Sequence, residues 1–421
     1  MNGKTVRRFS IDDMILFKQK MLSWANRFNI FCFLDNQEYT IPPHHLQWLL
    51  AIGDDKAHEN QMLFHEIDHF VKEGWSFGHL SFDLGNDWFG LTSEKEDFLQ
   101  FPRFHFFHPA VLIGLDGDKI FIDAADPEAV LQQIWSENLF EYIQPPVELQ
   151  ARLTKADYIS TVSRLQEHIR RGDCYEINFC QEFYAAGVKI NPILLFHDLI
   201  EASPNPFSAL YKWEEQYLLC ASPERFLYKK GNTLISQPIK GTSGRDLNNA
   251  EKDQASKNAL FNSSKERSEN VMVVDLVRND LSIICKDGSV QVDELFGIYS
   301  FPQVHQMIST ISGELKEGTT FSQIMKATFP MGSMTGAPKK KVMELIHRYE
   351  TSRRGIFSGT LGYIDGNGDF DFNVVIRSLM YNAATQYLSC QVGSGITIYS
   401  DPEKEWEECQ LKAAAIKKVL A

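Results

Sequence analysis

Short β-rich runs separated by turns dominate the sequence after Gly172. The clearest pair occupies residues 359–364 and 372–381, and the turn sequence Asp-Gly-Asn-Gly-Asp at 365–369 joins them. Strands that follow one another along the chain and are joined by short turns pair in an antiparallel manner. Helical patterns, such as the one at 155–171, accompany these strands. The sequence therefore predicts an α+β fold whose sheets are largely antiparallel.

The length of the chain is consistent with several domains or with one large domain that has an intertwined core. It has 421 residues, of which 43% are hydrophobic, and this is enough for a sizeable core. A polar stretch with two prolines at 144–148 precedes an amphipathic helix. We therefore predict a boundary near residue 150, between an N-terminal region, 1–150, and a second region, 151–421.

The overall charge disfavours two classes of partner. The net charge is −13, whereas nucleic acids and anionic membranes require a basic surface. No run of about 18 apolar residues occurs, and the polar start at residues 1–8 has no apolar signal segment behind it. The seven cysteines form no C-x-x-C pair, which argues against a disulfide framework and a zinc ribbon. We expect a soluble, cytoplasmic protein that binds neither nucleic acid nor membrane.

Two pairs of glutamates have the spacing of a helix face. Glu266 and Glu269 lie three residues apart in a helical pattern, and Glu405 and Glu408 do the same in the last helix, after an N-cap signal at Asp401. Mg²⁺ prefers a few carboxylates together with water and substrate oxygens. The two faces could therefore share one ion, although two solvated acidic faces are the alternative on spacing alone.

Lys240 stands in the sequence Pro-Ile-Lys-Gly-Thr at 238–242. A lysine is a nucleophile only after it loses its proton, and its usual pKa of about 10.4 prevents this unless the amine is buried or lies beside another cation. The surroundings of Lys240 therefore decide whether it can react.

Three further segments could place polar groups around a small anion. The loop at 332–338 is rich in small residues and opens a helix, so its backbone N–H groups suit a carboxylate, although a plain helix start fits as well. Gly393 and Gly395 allow a close approach of the backbone to a ligand, or else a strand bulge. Arg377 is predicted within a strand, partly buried, with a carboxylate partner.

A possible zinc motif lies in the N-terminal region. The sequence from His65 to His69 fits H-E-x-x-H, which would place two imidazoles and a glutamate on one helix. The extended form of the motif needs Gly at 72 and His at 75, where this chain has Lys72 and Trp75. A partly exposed helix without zinc is the better interpretation, and a zinc hydrolase is the alternative.

Taken together, residues 151–415 resemble the chorismate-utilising enzymes. The Pro-Ile-Lys-Gly-Thr sequence resembles one subgroup, the aminodeoxychorismate synthase component I or para-aminobenzoate synthase large subunit. The resemblance implies large antiparallel sheets packed in layers with helices outside, and an N-terminal region that shares the core. It also implies the amination of chorismate to 4-amino-4-deoxychorismate, which is a step of folate biosynthesis.

The resemblance assigns roles to individual residues. Lys240 would be the nucleophile that adds to C2 of chorismate, and Glu224 would be the acid that protonates the C4 hydroxyl as it leaves. Ammonia would then attack C4 and expel the lysine. His305 occupies the active-site histidine position of the family, with an orienting or electrostatic role.

The resemblance also implies how chorismate is held. Mg²⁺ would bridge Glu269 and Glu408 to the ring carboxylate, with Glu266 and Glu405 as supporting ligands. The residues implied to hold the two carboxylates of chorismate are Ser333, Tyr363, Arg377, Gly393, Gly395 and Lys412.

Departures within the family help to select a subgroup. Anthranilate synthases have a small residue where Lys240 stands, and isochorismate and salicylate synthases have a lysine where Glu176 stands. The aminating relatives tend to have glutamine there, so the effect of Glu176 is open. No glutaminase signature occurs, so a separate glutamine amidotransferase subunit is expected to supply ammonia. Anthranilate synthase component I and a non-catalytic chorismate-binding subunit are the alternatives.

Overall fold

The computed structural model describes residues 4–39, 47–54, 62–139 and 144–421. Two antiparallel sheets and eleven α-helices form the regular structure of these ranges. The strands, in chain order, are β1 Thr5–Phe9, β2 Ile30–Asp35, β3 Trp48–Ile52, β4 Ser76–Leu80, β5 Phe104–Phe107, β6 Val111–Asp116, β7 Lys119–Ala124, β8 Gln150–Ala151, β9 Glu176–Ala186, β10 Phe207–Trp213, β11 Gln216–Ser222, β12 Arg225–Lys230, β13 Thr233–Gln237, β14 Ile239–Gly244, β15 Gln291–Ser300, β16 Val304–Glu314, β17 Gly336–Ala337, β18 Thr360–Ile364, β19 Phe370–Asn373, β20 Ser378–Asn382 and β21 Tyr387–Ile396.

The helices differ widely in length. They are α1 Met14–Ala25, α2 Ile67–Phe70, α3 Phe82–Trp88, α4 Pro127–Ser136, α5 Lys155–Arg170, α6 Pro192–Ala202, α7 Ala250–Asn262, α8 Ser264–Ile284, α9 Phe321–Thr328, α10 Lys339–Tyr349 and α11 Pro402–Val419. Within the described ranges, none of them is both long and apolar enough to cross a lipid bilayer.

Strands from both sides of residue 150 pair in each sheet. The larger sheet has twelve strands in the described residues, in the order β1-β7-β6-β3-β2-β10-β11-β20-β21-β9-β17 with β8 beside β9. The smaller has nine, in the order β14-β16-β13-β12-β19-β18-β4-β5 with β15 beside β16. β2 pairs with β10, and β4 pairs with β18. The regions 1–150 and 151–421 therefore share both sheets, and the boundary near residue 150 stays a prediction.

Two apolar cores lie on opposite faces of the larger sheet. Along β10, Leu210 packs into the core that includes α1, α5, α6 and α11, whereas Ala209 and Tyr211 pack into the core shared with the smaller sheet. Side chains alternate across a strand, so a sheet that is buried on both faces needs a nearly continuous apolar sequence. The predicted α+β class, with antiparallel sheets in layers and helices outside, is confirmed.

Two helices form where the sequence placed them, and their ends have a clear chemical basis. α5 begins after Thr154, whose side chain accepts a hydrogen bond from the Asp157 N–H at 3.2 Å, and it ends before Gly172, which has a φ of +81°. α11 begins after Asp401, whose side chain accepts from the Glu403 N–H at 3.0 Å. The start of α11 fixes the direction of the Glu405 and Glu408 face.

The segment predicted as one strand at 372–381 is divided between the two sheets. β19 ends in the smaller sheet and β20 begins in the larger one. Val374 and Val375 are buried in the crossing, and Arg377 has a φ of +51°, which is uncommon for a residue with a side chain. The prediction of one strand with Arg377 inside it was wrong, because an apolar run alone does not distinguish a strand from a buried crossing.

Candidate active site

Lys240 lies on β14, an edge strand of the smaller sheet, and reaches β9 of the larger sheet. Its Nζ donates a hydrogen bond to Glu176 Oε1 at 2.5 Å. Both side chains are largely buried, with exposed fractions of 11% for Lys240 and 4% for Glu176. The candidate site therefore forms where strands of the two sheets approach each other.

Two glycines leave space for the charged groups of the site. A Cβ on Gly395 would lie 2.9 Å from both Glu176 Oε1 and Lys240 Nζ, and a Cβ on Gly241 would lie 2.9 Å from Glu266 Oε2. Contacts this short are essentially never made by real Cβ atoms, so a side chain at either position would displace the charged groups. Gly393 and Gly395 pair regularly with β9, so the structure does not show the strand bulge that was the alternative there.

The charge state of Lys240 follows from its neighbours. Burial alone would lower the pKa of Lys240, but Glu176, Glu269 and Glu224 outweigh this effect and raise the pKa above its usual value. The amine is therefore protonated in this state of the protein. A base has to take this proton before Lys240 can attack, and Glu176 is the carboxylate in contact with it.

Glu224 lies in the turn between β11 and β12, with 4% of its surface exposed. Burial raises the pKa of Glu224 to about 7, although Ser333, Lys240 and the backbone of Ile239 favour its charged form. A carboxyl group with this pKa is partly protonated near neutral pH and can donate a proton. The structure thus brings together Lys240, Glu224 and Ser333, while the roles that the resemblance gives them stay predictions.

Three of the glutamates of α8 and α11 interact with the charge of Lys240, namely Glu266, Glu269 and Glu408. Burial raises the pKa of Glu269 to about 7, even though Lys240 favours its charged form. Glu269 Oε1 is buried and has no hydrogen-bond partner among the described residues. Glu405 is 2% exposed, and charge interactions couple Glu408 to Glu266 and to Lys240. A buried carboxylate oxygen without a partner, in a set made only of carboxylates, suits a hard cation such as Mg²⁺.

Two lysines partly neutralise these glutamates. Lys265 Nζ lies 3.8 Å from Glu269 Oε1 and 3.7 Å from Glu405 Oε1. Lys412 Nζ lies 2.7 Å from Glu408 Oε1 and donates to the Gly393 carbonyl at 2.8 Å. In the described part of the chain, no three of the glutamates place oxygen atoms within 4.8 Å of one another. The described residues therefore do not form a closed cage of these carboxylates around one point.

His305 belongs to a hydrogen-bond network with Ser300 and Asp253. It hydrogen bonds through Nδ1 to Ser300 Oγ at 2.9 Å and through Nε2 to Asp253 Oδ1 at 3.2 Å. Asp253 also accepts two hydrogen bonds from Arg245, at 2.9 and 3.2 Å. Ser243 of β14 is the cross-strand partner of His305. The network therefore ties α7 to the strand that carries Lys240.

One of the predicted substrate-binding residues, Tyr363, does not join this group in the structure. Tyr363 stacks on Trp75, with ring centroids 5.6 Å apart, and lines a separate cavity together with Asp35. Arg377 is half-buried, and burial lowers the pKa of its guanidinium. Among the described residues, no carboxylate lies within 4.0 Å of Arg377, and its contact with a carboxylate of the substrate stays a prediction.

One supporting residue escaped the sequence analysis. Arg354 is 2% exposed and donates to Glu350 Oε1 at 2.6 Å, to the Asn178 carbonyl at 2.8 Å and to the Met334 carbonyl at 2.7 Å. It thus joins β9, which carries Glu176, to the loop that carries Ser333. A fully buried arginine has no signature in a single sequence, because its partners come from distant segments.

The H-E-x-x-H segment does not form a metal site in the described residues. It occupies a 3₁₀ turn, Phe64–Glu66, followed by α2, and His69 pairs with Glu73 at 3.2 Å while 87% of its side chain is exposed. Of the described side chains, only His197, Asp198 and Glu201 bring three ligand atoms within 4.8 Å, and these three are exposed. The zinc alternative therefore gains no support.

Residues 33–418 match the family described as chorismate binding enzyme. The chain belongs to this family. This family member is 31% identical to the aminodeoxychorismate synthase component 1 of Bacillus subtilis, over 85% of this chain and 78% of the relative. It is 30% identical to the anthranilate synthase component 1 of Thermus thermophilus, over 82% of this chain and 77% of the relative.

A solved structure shares the fold. The crystal structure of anthranilate synthase component I from Streptococcus pneumoniae superposes with a TM-score of 0.75, at 24% identity, over 92% of each chain. The predicted resemblance is thereby confirmed at the level of the family, and the protein is a chorismate-utilising enzyme.

Proposed function

We propose that this enzyme aminates chorismate to 4-amino-4-deoxychorismate through a covalent adduct on Lys240. The observation that carries this proposal is the position of the Lys240 amine, 2.5 Å from Glu176 and close enough to Glu224 for their charges to interact. A buried amine that contacts one carboxylate and lies near a second carboxyl group of raised pKa has a base and an acid at hand.

In the proposed reaction, Glu176 takes the proton of the Lys240 ammonium, and the neutral amine adds to C2 of chorismate. Both ring double bonds shift by one position, the C4–oxygen bond breaks, and Glu224 protonates the oxygen, which leaves as water. Ammonia then adds to C4, both double bonds shift back, and the C2–nitrogen bond to Lys240 breaks. Glu224 receives the proton that ammonia releases, and Glu176 returns its proton to Lys240, so the net change is ammonia consumed and water released.

The substrate would be held by charges of both signs. Glu269 and Glu408, supported by Glu266 and Glu405, would bind Mg²⁺, whose positive charge would neutralise the ring carboxylate of chorismate. Ser333 and Lys412 lie around the same group and would contact the substrate directly. Chorismate carries two carboxylates, and cations in the site would compensate for the loss of their hydration on binding.

Ammonia would come from a separate glutamine amidotransferase subunit. All seven cysteines of this chain are buried and free. A glutaminase nucleophile must be reached by glutamine from solvent, so burial of every thiol supports a partner as the source of ammonia.

The test is a product assay with ammonium chloride as the nitrogen source, so that no partner is needed. After incubation with chorismate and Mg²⁺, addition of an aminodeoxychorismate lyase should release para-aminobenzoate, and intact-protein mass should show an adduct. A Lys240→Ala variant should give neither. A Lys230→Ala variant, which removes an exposed lysine of β12, is the matched control and should behave like the wild type.

Fluorescent anthranilate formed without the lyase would replace the proposal with anthranilate synthase activity. Unchanged turnover in Lys240→Ala would refute the covalent route. No turnover of chorismate under any condition would favour a non-catalytic binding subunit.

A further inference from the structure

We propose that Lys265 is a built-in counter-ion for the glutamates of α8 and α11, and that it must move aside when a divalent cation binds between the two helices. This inference rests on the metal site of the proposed function. It assigns a role to a residue that neither donates nor accepts in the chemistry.

The geometry places the ammonium of Lys265 between one carboxylate of each helix. Its Nζ lies 3.8 Å from Glu269 Oε1 on its own helix and 3.7 Å from Glu405 Oε1 on α11. The contact with Glu405 is the only ion pair within 4.0 Å that links α8 to α11, among the residues the structure describes. An ion that joins the two helices has to use the same space.

The surroundings show that Lys265 is held by charge and not by a fixed hydrogen bond. Glu269 Oε1 has no hydrogen-bond partner in the described part of the chain, although Lys265 is 3.8 Å away. The side chain of Lys265 is 49% exposed, whereas those of Glu269 and Glu405 are 11% and 3% exposed. A flexible, half-exposed lysine can turn into solvent at little cost, while the buried carboxylates stay in place.

The second lysine of the cluster does not have this position. Lys412 is bound to Glu408 on its own helix at 2.7 Å and to the Gly393 carbonyl at 2.8 Å. It is therefore anchored to backbone, whereas Lys265 has contacts only with carboxylates in the described residues. Two like charges repel, so the ammonium of Lys265 competes directly with a divalent cation and weakens its binding.

The experiment measures binding of Mn²⁺ alone, without chorismate, by electron paramagnetic resonance of the free ion. Lys265→Met keeps the aliphatic stem and removes the charge that repels a divalent cation, and it should bind Mn²⁺ about tenfold more tightly than the wild type. Lys265→Arg keeps the charge and should bind like the wild type. Lys286→Met is the matched control, because Lys286 is equally exposed, at 49%, and pairs with Glu314 instead of the glutamate cluster.

Thermal unfolding in EDTA gives a second measurement. Without metal, Lys265→Met should melt below the wild type, because Glu269 and Glu405 lose their shared counter-ion, and Mn²⁺ should raise its melting temperature by more than it raises that of the wild type. Lys265→Gln serves the same purpose if the methionine variant aggregates.

The outcomes separate this inference from the proposed function. Unchanged or weaker Mn²⁺ binding in Lys265→Met, or equal tightening in Lys286→Met, would overturn the role of Lys265 while leaving the metal site intact. No saturable binding in any variant would overturn the metal site and this inference together. The lysine chemistry would then still be judged by the product assay.

Discussion

Replacing Glu224 with glutamine should stabilise the folded protein at alkaline pH while it removes the acid of the proposed reaction. The reason is the burial of the carboxyl group, which raises its pKa from 4.5 to about 7. The folded state therefore binds this proton more tightly than the unfolded chain does. The stabilisation from that proton is complete below the unfolded pKa of 4.5, and it is lost as the pH rises through about 7.

The size of the effect follows from the shift. A difference of about 2.5 pKa units corresponds to about 3 kcal/mol of unfolding free energy, at about 1.4 kcal/mol per unit. Glutamine has the shape of the protonated acid and does not titrate, so Glu224→Gln avoids this loss. We expect the variant to gain roughly 2 to 3 kcal/mol over the wild type between pH 5 and pH 8.

Urea unfolding followed by tryptophan fluorescence at pH 5 and pH 8 measures this gain. Glu215→Gln, which removes an exposed carboxyl group from the turn between β10 and β11, controls for the change in net charge. In parallel, turnover of Glu224→Gln should fall by a factor of about 10² to 10⁴. An equal stability difference at the two pH values would refute the reasoning, because it would show that Glu224 is not protonated by burial.

Three further predictions concern the surroundings of the amine. Glu176→Gln should lower the pKa of Lys240, because burial then outweighs the remaining carboxylates. The pH at which an amine reagent labels Lys240 should fall by about one unit or more. Labelling at an unchanged pH would contradict this prediction. Gly395→Ala should reduce turnover by about tenfold or more with little change in melting temperature, since its Cβ would lie 2.9 Å from the Lys240–Glu176 pair. Full activity of this variant would show that the pair can shift freely. Arg354→Met should lower the free energy of unfolding in urea by about 3 to 5 kcal/mol, because it leaves Glu350 buried without a partner. The double variant Arg354→Met, Glu350→Gln should recover part of this loss. A double variant no more stable than the single one would argue against the ion pair as the cause.

Local signals in the sequence were sufficient for the helices that carry the glutamates. The spacing of Glu266 and Glu269, and the cap at Asp401, each depend on residues within one or two turns of a helix. The resemblance to a family then brought these helices to Lys240, which no local pattern could do. Lys240 and Glu176 are 64 residues apart in the chain and belong to different sheets.

The failures share a physical cause. Tyr363 was assigned to the substrate by its place in a motif, yet its ring stacks on Trp75 in another cavity. The surroundings of Lys240 were left open by the sequence, and three carboxylates from separate segments raise its pKa although burial alone would lower it. Arg377 was placed in a strand because its neighbours are apolar. Each of these features depends on contacts or charges of residues that are distant along the chain. A single sequence does not show which distant residues come together.

The position of β21 has a consequence for how the chain is made. β21 is the last strand to leave the ribosome, yet it lies inside the larger sheet between β20 and β9. Roughly 200 residues separate the end of β9 at Ala186 from its partner Tyr387, which corresponds to roughly 10 to 40 s of translation. During this time one side of β9 lacks its final neighbour and is open to wrong partners. Premature termination before residue 387 would therefore leave the larger sheet in two separate parts, with β20 and β9 each lacking their β21 neighbour. Such a product would be prone to aggregation and would not be a smaller working enzyme.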